Sequence, residues 1–380
     1  MAGNQKKNPL VKEMEQVIDN LDDSLKRSFQ NMHGGYPEAT LVRFLKARDD
    51  NVLKASKMLI DCLNWRVKND IDNVLARPIK PKETWDAIRE SQLVGFCGYC
   101  KKGRPVFAIG VGQSSYDKAA VDKYVHSHIQ INEYRDRVLV PEISKKRGHY
   151  VGTCLKILDM TGLKLSAFSR LKTSTVIATV DDLNYPEKTD IYFIVNAPLV
   201  FSTCWKAVKP MLQERTKRKV QVLKGNGREE LLQFMDYDSL PMFSKSGARE
   251  GSSNSLMDYG DPTSNVFSPE HQFHVEVYRH IKENSCSLRV ANRLESEGSM
   301  HIQVPSLDEQ DEPTETGDFV NVLECILPSL QSAQNAQDQQ RADQLATKME
   351  GIQGRLETVS ALPGLSWQIF ILSGVVEVFA

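Results

Sequence analysis

Four short apolar runs constrain this chain more than any other feature. They are PVFAIGV (105–111), CLKILDM (154–160), DIYFIVN (190–196) and KVQVL (219–223). Each is rich in β-branched residues and nearly continuous, as in strands buried on both faces. Patterns of helical period separate them at 117–139, 166–180 and 198–213. Strand–helix–strand alternation at these lengths specifies an α/β fold built on a mainly parallel sheet with crossover helices. Ahead of the sheet, residues 10–90 read as helical. Val52, Ala55, Leu59, Cys62, Leu63 and Arg66 recur near the spacing that shares one helix face, and Pro78 and Pro81 punctuate the end. The expected organisation is a small N-terminal helical lobe over 1–90 and an α/β lobe over 91–247. A linker over 248–265 and an acidic tail over 266–380 follow, with helices expected at 266–284 and 319–360. The linker reading rests on SGAREGSSNSLMDYGDPTSN (246–265), a Gly/Ser/Asn-rich stretch.

The formal net charge of −1 hides an asymmetry. Residues 1–247 hold 40 Lys+Arg against 29 Asp+Glu, a net of +11, whereas residues 248–380 hold 8 against 20, a net of −12. A basic body meets anionic partners, membrane or nucleic acid, and charge alone does not choose between them. The seven cysteines are odd in number and scattered, which points to reduced cytosolic thiols. Cys97 and Cys100 have CxxC spacing, but a zinc site needs a second pair. The first residues lack the apolar core of a secretory signal, and no stretch approaches the ~20 apolar residues that span a bilayer. The apolar end SWQIFILSGVVEVFA (366–380) is short and carries Glu377. The expectation is a cytoplasmic protein that visits membranes peripherally.

Motifs for catalysis are weak. GVGQSS (110–115) follows a strand but lacks the third glycine of a dinucleotide fingerprint, so a Gly-rich turn is the ordinary reading. Neither a GxxxxGK[ST] phosphate loop nor a GxSxG elbow occurs. His126 and His128, two apart on a helix, point to different sides and cannot chelate one metal. APLVFSTCWKAVKPML (197–212) makes a helix apolar over much of its circumference. It reads either as a buried helix or as a mobile lid over an apolar cavity, bracketed by Pro198 and Pro210. Arg215, Lys217, Arg218 and Lys219 crowd before one strand, and Glu187 precedes another. Starts of parallel strands lie at the same end of the sheet, so a carboxylate and an ammonium can meet at one pocket rim. A phosphorylated polyol suits such a rim. Inositol hydroxyls donate to Glu187, and its phosphate accepts from Lys219 and Thr216.

RFLKAR (43–48), GRPVF (103–107), LDMTGL (158–163), NYPEK (184–188), VNAP (195–198), FSTCWKAVKP (201–210) and ERTKRKVQVLKG (214–225) together resemble the Sec-fourteen type of phosphatidylinositol transfer protein, with its CRAL-TRIO domain. The likeness runs over roughly 35–245 and is strongest to plant members. It implies a CRAL-TRIO fold in which a helical lobe and an α/β lobe enclose an apolar pocket. The bound phospholipid is the ligand, with no other cofactor. Phosphatidylinositol or a phosphoinositide, an anionic membrane surface and a lipid kinase are the implied partners, rather than nucleic acid. The inositol-headgroup positions fall on Arg48, Glu187, Thr216 and Lys219, all retained in type. The second-lipid positions fall on Phe96, Phe107, Asn132, Cys154 and Lys156, where several hydroxyls of the family pattern are replaced. The gate helix carries Phe201, Trp205, Val208 and Met211. The alternative within the fold is a carrier of sterol, tocopherol or retinoid. A nicotinamide-dependent dehydrogenase is the less favoured one, and the overall expectation is a protein that is not an enzyme.

Such a carrier needs a gate. At ~0.8 kcal/mol per methylene, two acyl chains represent on the order of 20 kcal/mol of exposure to water. A typical fold is stable by only about 5–15 kcal/mol. The pocket must therefore close in solution and open at a bilayer.

Overall fold

A computed structural model describes residues 8–163, 168–198, 214–245, 262–290 and 302. Helices α1 (Pro9–Asp19), α2 (Asp23–His33), α3 (Pro37–Ala47) and α4 (Val52–Lys68) form the N-terminal lobe. Asp22 caps α2 by accepting from the amides of Ser24 and Leu25, and Pro37 opens α3 where no amide donor is needed. Val11, Met14, Leu25, Phe29, Leu41, Phe44, Leu59 and Leu63 meet in one cluster at this lobe's centre. The face expected on α4 is the buried one, through Ala55, Leu59, Cys62, Leu63 and Arg66.

A short 3-10 turn (Ile71–Ala76) and α5 (Lys82–Ser91) lead to a five-stranded sheet. Its strands are β1 (Val94–Tyr99), β2 (Pro105–Gly110), β3 (Cys154–Asp159), β4 (Thr189–Val195) and β5 (Val220–Val222), in spatial order 1-2-3-4-5. All pairs are parallel except β1–β2. The crossovers are α6 (Val121–Tyr134), continued by a π-turn (Arg135–Leu139) into α7 (Val140–Arg147), and α8 (Phe168–Asn184). α9 (Glu214–Lys219) runs directly into β5, so the basic cluster ends a helix rather than opening a strand.

Strand β1 escapes the apolar-run pattern. Gly98 sits at φ +112° in a bulge, and a Cβ on Gly95 would lie 2.1 Å from the Val266 carbonyl oxygen. The two glycines admit a bulge and a crossing chain, and they erase the β-branched signature.

Register assigns the two faces. Phe96, Phe107, Lys156 and Tyr192 pair across the sheet in one row and point to one side. Val106, Ala108, Leu155, Ile157, Phe193 and Val195 point to the other. That side is covered by α10 (Arg228–Phe234), α11 (Met242–Lys245) and the segment carrying Val266 and Phe267.

Packing continues past residue 247. Helix α12 (Gln272–Val290) starts later than the expected 266, because Asn265 and Ser268 build turns that place Val266 and Phe267 against the sheet first. Phe273, Val277 and Ile281 of α12 then join the main core with Phe107, Trp85 and Ile71. No described helix is long and apolar enough to cross a membrane. Residues 198–213 lie mostly, and 309–318, 319–360 and 366–380 wholly, outside the described residues.

Candidate lipid-binding site

Glu187 and Lys219 meet. Lys219 Nζ donates to Glu187 Oε2 at 2.7 Å, and both side chains are largely covered. Neither residue belongs to the other's element. The turn from α8 into β4 presents Glu187, and the last turn of α9 presents Lys219, at neighbouring starts of parallel strands. Glu187 holds φ +57°, a left-handed conformation disfavoured for a non-glycine residue and typical of residues fixed for function. The helical lobe clamps this turn: Arg43 Nη1 donates to the Pro186 carbonyl at 3.0 Å, and Cys62 Sγ lies 3.6 Å from that of Asn184. Arg48 caps the C-terminal end of the same α3, where its Nη1 donates to the Ala47 carbonyl and its charge acts on Asp182. Thr216 sits one turn before Lys219 in α9, with its side chain outside the described residues. The gate positions Phe201, Trp205, Val208 and Met211 lie outside them altogether.

The second-lipid positions also converge. Phe96, Phe107 and Lys156 occupy the row defined above, and Cys154 lies on the same face one pleat away. Asn132 faces them from α6. A cavity of about 60 Å³ opens over this face, with Val94, Ile109, Leu158, Ile177, Lys156 and Asp181 among its walls.

Asp181 of α8 is the hub of a polar network there. Its Oδ1 lies 2.7 Å from both His128 Nε2 and Asn132 Nδ2, and its Oδ2 lies 3.4 Å from Lys156 Nζ. Burial raises the proton affinity of Asp181, but His128 and Lys156 outweigh it and hold the carboxyl well below its usual range. Asn132 Oδ1 in turn accepts from Arg135 Nη1 at 3.0 Å. The π-turn brings successive Arg135 and Asp136 inward, and Asp136 pairs with Lys188 at 2.8 Å. Burial, then Arg43, pushes the Lys188 ammonium down to about 7 against the pull of Asp136. On the far side of α8, burial and Asp181 raise the Asp182 carboxyl well above its ordinary value.

Sequence reasoning missed Asp181, Asp182, Lys188 and Arg135. Asp181 and Asp182 carry a readable signal, since they interrupt the apolar run TVIATV within one helix. His128 is packed on Asp181, its Nε2 2.7 Å from Oδ1. The glycines of GVGQSS also have a packing role. A Cβ on Gly112 would lie 2.3 Å from the Thr161 carbonyl oxygen, and α6 starts only at Val121, so no helix N-terminus is presented to a phosphate there.

A helical lobe thus holds the turn before β4, where Glu187 and Lys219 pair, and a partly apolar cavity lies over one face of the five-stranded sheet. The family model for the CRAL/TRIO, N-terminal domain matches residues 10–61, and that for the CRAL/TRIO domain matches residues 89–244. The chain belongs to the CRAL/TRIO family. It is 30% identical over 236 residues to phosphatidylinositol/phosphatidylcholine transfer protein SFH11 of Arabidopsis thaliana, covering 58% of this chain and 62% of that protein. It is 28% identical to SFH7 of the same name and organism, over 59% of this chain and 40% of that one. CRAL-TRIO domain-containing protein YKL091C of Saccharomyces cerevisiae is 26% identical over 61% of this chain and 77% of its own length. A solved structure titled "Crystal structure of Sfh5" superposes with TM-score 0.46 at 19% identity, over 75% of this chain and 98% of that one. The chain thus spans less than two thirds of the length of the first curated relatives it matches.

Proposed function

We propose that this protein binds phosphatidylinositol, or a phosphoinositide, inside the α/β lobe and transfers or presents it at membrane surfaces. The observation that carries the reading is the Glu187–Lys219 pair, held at a strained turn and clamped by the helical lobe. A carboxylate accepts from ring hydroxyls and an ammonium donates to phosphate, so one pair reads both chemistries of an inositol headgroup. The two residues bond each other, and a headgroup entering between them exchanges one charge-assisted bond for several. The names of the plant relatives, phosphatidylinositol/phosphatidylcholine transfer proteins, support the same reading. Arg48 and Thr216 complete the headgroup set in this proposal. The segment 197–212 serves as the gate, with Phe201, Trp205, Val208 and Met211 meeting the bilayer when it opens. Delivery of inositol lipid to a lipid kinase, within phosphoinositide signalling, follows as the downstream role.

The test is uptake of labelled phosphatidylinositol from vesicles. Loss of one charged hydrogen-bond partner costs about 1.5–3 kcal/mol, so Lys219→Ala weakens uptake by roughly ten- to a hundredfold. Uptake equal to the parent, or no inositol lipid in the parent protein, overturns the assignment.

A further inference from the structure

The proposed inositol site leaves one buried charge unexplained. Lys156 lies mid-strand in β3, all six residues of which are buried, and its own exposure is 8%. Its row-mates on the sheet are aromatic. A lysine at such a place is costly unless its protons are used. Among the described residues its ammonium has one acceptor, Asp181 Oδ2, at a long 3.4 Å, and otherwise lies 5.7 Å from the centre of the Tyr192 ring. Its ammonium thus makes a single long contact on the wall of the cavity. His128 and Asn132 both approach Asp181 Oδ1 at 2.7 Å, so Lys156 shares this carboxylate with two other groups.

Among the described residues that line the cavity, Lys156 brings the ammonium and Asp181 the carboxyl, beside His128, Tyr116 and Tyr192. The cavity of about 60 Å³ holds a few water-sized groups, room for an oxyanion.

We propose that the cavity over β3 receives the oxyanion of a second, acidic amphiphile, a fatty carboxylate or a lipid phosphate monoester, anchored by Lys156. This rests on the lipid-binding reading above and names the chemistry of its second ligand. A choline head is disfavoured there because it would bring a further cation against Lys156.

The experiment uses the full chain, incubated with vesicles containing phosphatidylinositol, phosphatidylcholine and phosphatidate, with and without oleate. Re-isolated protein is extracted and its lipids are identified by mass spectrometry. The expected result is oleate or phosphatidate in excess of phosphatidylcholine, and the two acids tell the carboxylate from the phosphate source. In Lys156→Met the ratio of acidic lipid to phosphatidylinositol falls by at least about tenfold, and Lys156→Arg restores most of it. Phosphatidylcholine taken up as well as either acid, or an unchanged ratio in Lys156→Met, overturns the proposal. The parent protein decides by itself if the variant fails to fold: phosphatidylinositol without acidic lipid sinks this inference alone. Acidic lipid without phosphatidylinositol supports it and sinks the headgroup assignment instead.

Discussion

Arg66 is buried to 1% exposure between Glu133 at 2.7 Å and Asp72 at 2.8 Å, and Tyr185 adds a hydrogen bond to Glu133 at 2.7 Å. This ion pair joins the helical lobe to α6. Removing one partner of a buried pair costs about 3–5 kcal/mol because the other charge stays behind uncompensated. Burial alone would raise the Glu133 carboxyl, but Arg137 and Arg66 outweigh it and bring the group from 4.5 down to about 2. A depressed folded-state value gives stability that is complete above about 4.5 and drains away as pH falls toward 2. Arg66→Met is therefore expected to lower Tm by on the order of 10 °C at neutral pH, with the deficit shrinking in acid. Thermal melts across pH 2–8 check this, and a pH-independent deficit contradicts it.

At the scale of the element, α12 is where the chain outside the family match becomes part of the lipid lobe. Phe273 contacts the rings of Phe96 (5.6 Å between centroids), Phe107 (6.0 Å) and Tyr134 (6.0 Å), two of them second-lipid positions. Tyr278 packs on Trp85 and lies under Lys82, while Val277 and Ile281 are fully buried. Phe273→Ala is expected to cost about 3 kcal/mol or more, as large-to-small changes in aromatic cores do. Val275→Ala, half-exposed on the same helix, stays within about 0.5 kcal/mol. Denaturant unfolding separates the two. Equal costs would mean that α12 lies on the lobe without packing into it.

The whole molecule combines a basic body with an acidic remainder, +11 over residues 1–247 and −12 over 248–380. If the body meets membranes through that charge, each basic residue near the surface contributes about 1 kcal/mol, and salt screens it within a Debye length. Binding to vesicles containing phosphatidylserine is expected to fall at least tenfold between about 0.05 M and about 0.5 M salt. Neutral vesicles should bind weakly throughout. Cosedimentation measures both, and salt-insensitive binding would assign membrane contact to apolar insertion alone.

How much of this was legible before folding follows from how local each signal is. The four parallel strands and their crossovers are local periodicities, and periodicity needs only neighbours in sequence. The meeting of Glu187 and Lys219 was readable because parallel strands share one end. Strand β1 was hidden by the glycines that its bulge and its close contact with Val266 require. The start of α12 was misplaced because turn-forming Asn265 and Ser268 compete with helix. Phe96, Phe107, Cys154 and Lys156 share one face of the sheet, yet the network Lys156 joins depended on Asp181, which is 25 residues from it in sequence and 3.4 Å away in space.

By itself, then, the sequence determined the α/β class, the helical lobe and the meeting of a carboxylate with an ammonium at one end of the sheet. Each depends on spacing within an element or on the common end of parallel strands. Only the tertiary structure decided which charges share one buried network and which acceptors they find. It also decided that α12 packs into the core and that Lys156 lines a cavity beside Asp181. Those depend on distances between elements far apart in the chain, and the low dielectric of the interior is what makes those distances count.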